Sequence, residues 1–204
     1  DIWMQKIEYA NLLDGYWNED FGKALDEKYE NASGDALKIF NKIDRLENER
    51  DFKHIMSSLG GNIYANINQR ENDIANVFEN SLDLLENSEN NTKENVKVNI
   101  IGGKGRTNED TDGVVPYDYR MTGITALREV ERTYRHTFGY SFGYSNTNFD
   151  MNDGNKSKET VNTLQLGLHN KYAVDNWEIR NSIAGRVSFH DMDRSIMWPE
   201  KYGK

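Results

Sequence analysis

Four histidines, His54, His136, His169 and His190, are the first residues to weigh as metal ligands or general bases, and none has the close ligand spacing of a metal site. With no cysteine in the chain, thiol nucleophiles, thiolate zinc sites, iron–sulfur clusters and disulfide scaffolds are all excluded. The run DMNDGNKSKE, Asp150 to Glu159, has the composition of a calcium loop, but placing Gly154 at the sixth position puts Phe149 first, where an acid is required. It reads as an exposed hairpin loop. IIGGKGR, Ile100 to Arg106, lacks both the phosphate-loop spacing and the Ser or Thr after its lysine. Ser141, between Gly139 and Gly143, is every second residue of a strand rather than a nucleophile elbow. No catalytic, cofactor-binding or metal-binding residue is therefore expected, and the chain reads as a non-enzyme.

The elements that would carry any other function fall into two regions. Residues 1 to 94 hold 20 acids and 10 bases, and residues 95 to 204 hold 14 acids and 15 bases, so the net charge of −9 lies in the first half. No concentrated basic face exists, which argues against nucleic acid as a partner. Hydrophobic residues make up 36% of the chain, below the roughly 45–50% of globular domains. The sequence opens at Asp1 without a leader and is expected to be a fragment. No run of about 18 apolar residues occurs, so no transmembrane helix is expected; transmembrane strands are a separate matter.

The first region is helical. From Asp35, a candidate N-cap, Ala36, Leu37, Ile39, Phe40, Ile43 and Leu46 follow helical spacing. A second helix, Phe52 to Leu59, ends at Gly60-Gly61, and Asn62 caps a third that runs to about Glu86. The end of this third helix has an apolar stripe of Ile74, Val77, Phe78, Leu82 and Leu85, but its middle, NINQREND, is nearly all polar. Asn66, Asn68, Gln69, Arg70, Glu71 and Asp73 need polar surroundings. Residues 87 to 95, NSENNTKEN, break the helix.

From Val96 the period becomes two. Phe138, Tyr140, Phe142 and Tyr144 share one face; Leu164, Leu166, Leu168 and Tyr172 repeat the pattern, as do Trp177, Ile179, Ile183, Val187 and Phe189. Weaker alternation marks VKVNIIG and YRMTGITALREV, giving five strands. Each pattern lasts about 10 to 14 residues, the length of membrane-spanning strands. Long polar links (Arg106 to Asp118, Asp150 to Lys158) alternate with tight ones (Glu131 to Tyr134, Asp175-Asn176), as in outer-membrane barrels.

Periodicity does not say which face meets water. Tyr117, Tyr119, Tyr134, Tyr140, Tyr144, Tyr172 and Trp177, in or near strand ends, favour a bilayer interface. On that reading Phe138, Tyr140, Phe142, Tyr144, Leu164, Leu166, Leu168, Ile183 and Val187 face lipid. Arg120, Arg128, Lys171, Glu178, Arg180 and Arg186 then line a hydrated lumen, complementing acids such as Glu71 and Asp73 on the helix. The alternative is a soluble secreted antiparallel β binding module that buries its aromatic face. The fold class expected is mainly β with N-terminal α-helices: an antiparallel meander of about five long strands, an incomplete transmembrane β-barrel preceded by a plug helix.

The order of a helix containing SSLGGNIYANINQREND, a polar break, and the strands YRMTGITALREVERTYRHTFGYSFGYSNTNF and LQLGLHNKYAV resembles the C-terminal translocator of classical, type Va autotransporters, in particular adhesin-type members. The resemblance covers roughly residues 35 to 198. It implies a barrel of roughly twelve strands in the outer membrane of a Gram-negative bacterium, plugged by the preceding helix, through which an N-terminal passenger reaches the cell surface. The partners it implies are outer-membrane lipid, the chain's own passenger and the barrel-assembly machinery. No cofactor is implied. On this division residues 1–34 are the end of the passenger or a helical cap, 35–94 the helical linker and plug, and 95–204 the first strands of the barrel. Two departures stand out: five strands are too few, and MWPEKYGK cannot serve as the family's closing strand. The helix also lacks the Asn-Asn pair used for self-cleavage in some members, since Asn90-Asn91 lies beyond it.

Overall fold

The computed structural model describes residues 6–89, 93–108 and 113–199. Asn90-Asn91, Trp3 and the end of MWPEKYGK lie outside the described residues. Five helices precede five strands: α1 (Tyr9–Leu12), α2 (Glu19–Tyr29), α3 (Gly34–Ile43), α4 (Glu49–Leu59) and, after a 3-10 turn at Asn62–Tyr64, α5 (Ile67–Asn87). The strands are β1 (Glu94–Arg106), β2 (Tyr117–Thr133), β3 (His136–Met151), β4 (Lys158–Val174) and β5 (Trp177–Asp193). They form one antiparallel sheet in sequence order, and among the described residues its outer edges on β1 and β5 are unpaired. This is the meander of five long strands after N-terminal helices, with the open sheet of an incomplete barrel.

Turn chemistry sets the two ends apart. Between β2 and β3 only Tyr134 and Arg135 intervene, and between β4 and β5 only Asp175 and Asn176; Asp175 adopts a φ of 52°, the left-handed geometry that tight hairpins demand and Asp tolerates. The opposite end carries the connections 107–116 and 152–157.

Two apolar clusters hold the molecule together. One lies between α5 and the sheet and includes Ile74, Phe78, Ile101, Tyr117, Met121, Phe149 and Val161. The close approach of α5 depends on Gly143, where a Cβ would sit 2.5 Å from the Phe78 ring. The other is the core of α1 to α4, with Tyr9, Leu13, Phe40, Ile43, Phe52, Ile55 and Met56. Because α1 and α2 share this core with α3 and α4, residues 6 to 59 pack as one helical cap across the expected division at residues 34 and 35. Helix α3 has Ser33 rather than Asp35 at its N-cap position, without a side-chain capping hydrogen bond, and buries only Phe40 and Ile43 of its expected apolar face.

The cap sits over the long connections. Ile196 and Trp198, beyond β5, pack against its core. Asn66 donates to the Val115 carbonyl at 2.6 Å. Asn155, in the β3–β4 connection, donates to Ser58 at 2.8 Å and accepts from the Met197 N–H at 3.0 Å. This corrects the reading of Asp150 to Glu159 as an exposed loop: Asp153, Asn155, Ser157 and Glu159 are buried, because alternate residues turn toward the cap and α5.

In the cap, the hydroxyls of Tyr9 and Tyr29 both donate to Asp44 at 2.6 Å. Burial and the Asp44 carboxylate push the Tyr9 hydroxyl above its ordinary range, and the hydrogen bond to Asp44 raises Tyr29. A folded-state pKa above the unfolded value means these hydroxyls stabilise the cap fully below about pH 10 and less as pH rises through the folded value. Cap packing, followed by near-ultraviolet circular dichroism, is expected to weaken above about pH 10 in the wild-type chain, and Tyr9→Phe is expected to flatten that dependence.

Candidate functional site: a polar seam between helix and sheet

Helix α5 is about 32 Å long at its 21 residues, comparable with a bilayer core, and it lies against the inner face of β1, β2 and β3. Toward the sheet it turns Arg70, Ile74, Phe78, Ser81, Leu82 and Leu85. Every strand alternates, so the sheet meets this stripe with one residue in two: Lys97 and Asn99 from β1, Thr125 and Glu129 from β2, Ser141 and Ser145 from β3, Glu159, Thr163, Gln165 and His169 from β4.

The charged groups are tied across the seam at several heights. Arg70, fully buried, places its Nε 2.5 Å from Glu159, which is equally buried, and its Nη1 donates to Asn66 and to the Ile63 carbonyl. Glu159 also meets His190 Nδ1 at 2.6 Å, and the other ring nitrogen of His190 lies 3.1 Å from Glu71. Ser188 donates to Glu71 at 3.0 Å, and the Tyr117 hydroxyl donates to Asp73 at 2.7 Å. At the far end Lys97 pairs with Glu129 at 2.6 Å while donating to the Leu85 and Ser88 carbonyls at 2.8 Å, which satisfies the last turn of α5. A buried charge without such a partner would be strongly disfavoured.

One relay has the connectivity of a nucleophile, a base and an orienting acid: Ser141 Oγ to His169 Nε2 at 2.7 Å, and His169 Nδ1 to Glu86 at 2.6 Å. An oxyanion needs converging free N–H groups. Ser141 lies within an interior strand, opposite Leu127 on one side and Gly167 on the other, so its backbone is committed to the ladders. The relay joins α5 to β3 and β4.

Of the residues singled out from the sequence, Asn66 and Arg70 are buried, Glu71 and Asp73 are half-buried and bonded to the sheet, and Asn68 and Gln69 are exposed. Lys171, Glu178, Arg180 and Arg186 lie on the helix side: Lys171 pairs with Glu178 at 3.2 Å, and Arg180 donates to Asn87 at 2.6 Å. Arg186 lines a cleft of about 600 Å³ with Glu71, Glu79, Asp83 and Glu86. Phe138, Tyr140, Phe142, Tyr144, Leu164, Leu166, Leu168, Ile183 and Val187 are on the opposite face.

Arg120 and Arg128 are corrections. Both were expected beside Arg180, but the register pairs Arg120 with Asn148 and Arg128 with Tyr140, on the ring-bearing face. Arg128 donates to the Tyr140 hydroxyl at 2.9 Å. The reason is that β2 inverts the usual division: Tyr117, Met121 and Leu127 turn inward, where α5 supplies an apolar partner, so their neighbours turn outward. Glu159 and Glu86 were not singled out, and His169 and His190 were weighed as metal ligands or bases but not as partners of these acids. Arg70 in a polar helix calls for a buried acid, and Glu159 is in phase with Thr163 and Gln165; that phase was the available signal.

The family model for the autotransporter beta-domain matches residues 96–203, just over half of the chain. The chain belongs to this family. No curated protein and no solved structure gives a significant match. The autotransporter β-domain is an outer-membrane translocator of type V secretion in Gram-negative bacteria, and is not itself catalytic. It implies an N-terminal passenger. The polar seam is thus the contact between the strands of this β-domain and the helix that precedes them. None of the described helices is long and apolar enough to cross a membrane.

Removing one partner of the buried pair should strand the other. Arg70→Met is expected to cost about 3–5 kcal/mol in unfolding experiments on the detergent-solubilised protein. The double change Arg70→Met with Glu159→Met is expected to cost clearly less than the sum of the two single changes.

Proposed function

We propose that this chain anchors and exports its own N-terminal passenger as an adhesin-type autotransporter, with α5 as a plug on the lumen side of the sheet and the ring-bearing face in lipid. The single observation that supports this reading is the chemical opposition of the two faces. Inward, acids and bases are bonded to α5. Outward, Leu166, Ile183 and Phe189 are 66%, 72% and 60% exposed, and among the described residues no second layer covers them. A soluble binding module would have to bury such a surface.

The dimensions agree with a bilayer. On β5 the outward residues from Ile179 to Phe189 span ten steps, about 33 Å along a strand and about 25 Å along the normal at the usual tilt, the height of a barrel's apolar band. Trp177 and Tyr172 lie at the tight-turn border of that band and Tyr134 in the turn beyond, positions suited to an aromatic girdle. With the tight turns in the periplasm, the helical cap and long connections lie on the outer side. Residues 1–34 are then either the end of the passenger or a helical cap, and the linker that begins at residue 35 packs with them over residues 6 to 59. The adhesin assignment rests on the resemblance of the quoted segments, and barrel-assembly machinery would insert the strands.

On this reading, lumen-side contacts of Asn66, Arg70, Glu71, Asp73, Lys171, Glu178, Arg180 and Arg186 hold the helix in a hydrated channel. Leu166→Arg, outward, is expected to cost about 2–4 kcal/mol of insertion and to reduce outer-membrane assembly and passenger display. Ala184→Arg, on the inner face beside the acidic cleft, is expected to be tolerated. Equal tolerance of both changes, read by heat-dependent electrophoretic mobility and surface labelling, would overturn the lipid assignment.

A further inference from the structure

We infer that the outward face of β1 and β2, at the long-connection end, binds the phosphate of an outer-leaflet lipid headgroup, an inference that rests on the membrane reading above. A depression of about 550 Å³ lies there, lined by Lys104, Arg106, Asp118, Arg120 and Asp150. The charges in it are not all matched internally. Arg106 is committed to Asp118 at 2.5 Å, and Lys158 lies 3.6 Å from Asp150. Lys104 has no hydrogen-bond or ion-pair partner among the described residues, and Arg120 has only the longer-range attraction of Asp118, whose carboxylate is already bonded to Arg106.

Lys104 and Arg120 are directly opposite each other in the β1–β2 register. Like charges facing across a strand pair destabilise the sheet, and with Asp118 committed to Arg106 the arrangement favours a further anion between them. Arg120 offers a planar fork that fits two phosphate oxygens, and Lys104 adds a compact second charge. Position selects the source of that phosphate. The pair lies on the same face as Ile100 and Ile124, four residues further along each strand, or about 10 Å along the bilayer normal at the usual strand tilt. That step leaves the apolar band and enters the headgroup layer. The opposite edge of the band ends at the tight turns, so this edge meets the outer leaflet.

The test uses the full-length protein purified from outer membranes in detergent and stripped of lipid. Native mass spectrometry would follow its titration with phosphorylated lipid A, with the same lipid after phosphate removal, and with inorganic phosphate as a competitor. Wild type is expected to retain phosphorylated lipid A about tenfold more tightly than the dephosphorylated form. Lys104→Gln with Arg120→Gln should abolish that preference, Lys104→Gln alone should weaken it, and Arg132→Gln with Arg135→Gln, at the other end, should leave it intact. In lipid-free detergent the Lys104/Arg120 double variant should be at least as stable as wild type, which a purely structural role for the two cations would not allow.

Equal binding of both lipid forms, or an unchanged preference in the double variant, would overturn the site. Competition by inorganic phosphate at the lipid's own concentration would overturn its assignment to a lipid. If the protein instead proves monomeric and folded without detergent, the membrane reading fails first, a result distinguishable from a folded barrel that ignores the phosphate.

Discussion

Side chains on a strand alternate, so each of these five strands must offer two surfaces of different chemistry one residue apart, and whatever covers each surface must match it. Helix α5 is what the described residues place against the polar side. Its fully buried Arg70 is tolerable there because Glu159, equally buried, lies 2.5 Å away and is itself shared with His190. Glu71, from the next position on α5, meets the same imidazole. The seam therefore depends on register: a slip of one residue in β4 or β5 would turn Glu159 or His190 to the other face and leave Arg70 uncompensated.

The same constraint explains the unequal character of the inner surface. Near the cap its β2–β3 side is apolar, with Tyr117, Met121 and Phe149 around Phe78, while β4 and β5 bring Glu159 and His190 to that end; toward the tight turns it is polar, with Lys97, Glu129, Ser141 and His169. The helix mirrors this arrangement only in part, since its polar first turns lie under the cap and bond to Glu159, Ser188 and Val115. The outward face has no described partner at all. Its aromatic and aliphatic rows, bordered by Trp177 at one edge and by Lys104 and Arg120 beyond the other, have the profile of a surface solvated by lipid.

Much of this was legible from alternation alone. Five strands and the long and tight connections between them follow from the strong alternation in β3, β4 and β5 and the weaker alternation in β1 and β2, and the outward set from Phe138 to Val187 follows from the first three. Alternation names two faces without naming their partners, however, and β2 shows the consequence. Met121 and Leu127 look like the lipid side by composition but face α5, which carried Arg120 and Arg128 to the wrong surface. The cap was illegible for a different reason: its core joins Tyr9 and Leu13 to Phe52 and Ile55, a packing across some forty positions that no local period encodes. The Arg70, Glu159 and His190 network needs the offset between a helix and two strands, which the sequence states only as a demand for a buried acid.

The central claim is that the rings face lipid and the charges face water. Because this chain has no cysteine of its own, single cysteines at Phe142, Leu166 and Ile183, and at Ser182 and Arg186, can be spin-labelled in the protein in membranes once any cysteine outside this chain has been replaced. Labels on the first three should collide with oxygen dissolved in the bilayer and be shielded from a water-soluble relaxant, with the reverse for the last two. Outward labels that are shielded from both, or open to the aqueous relaxant, would contradict the account.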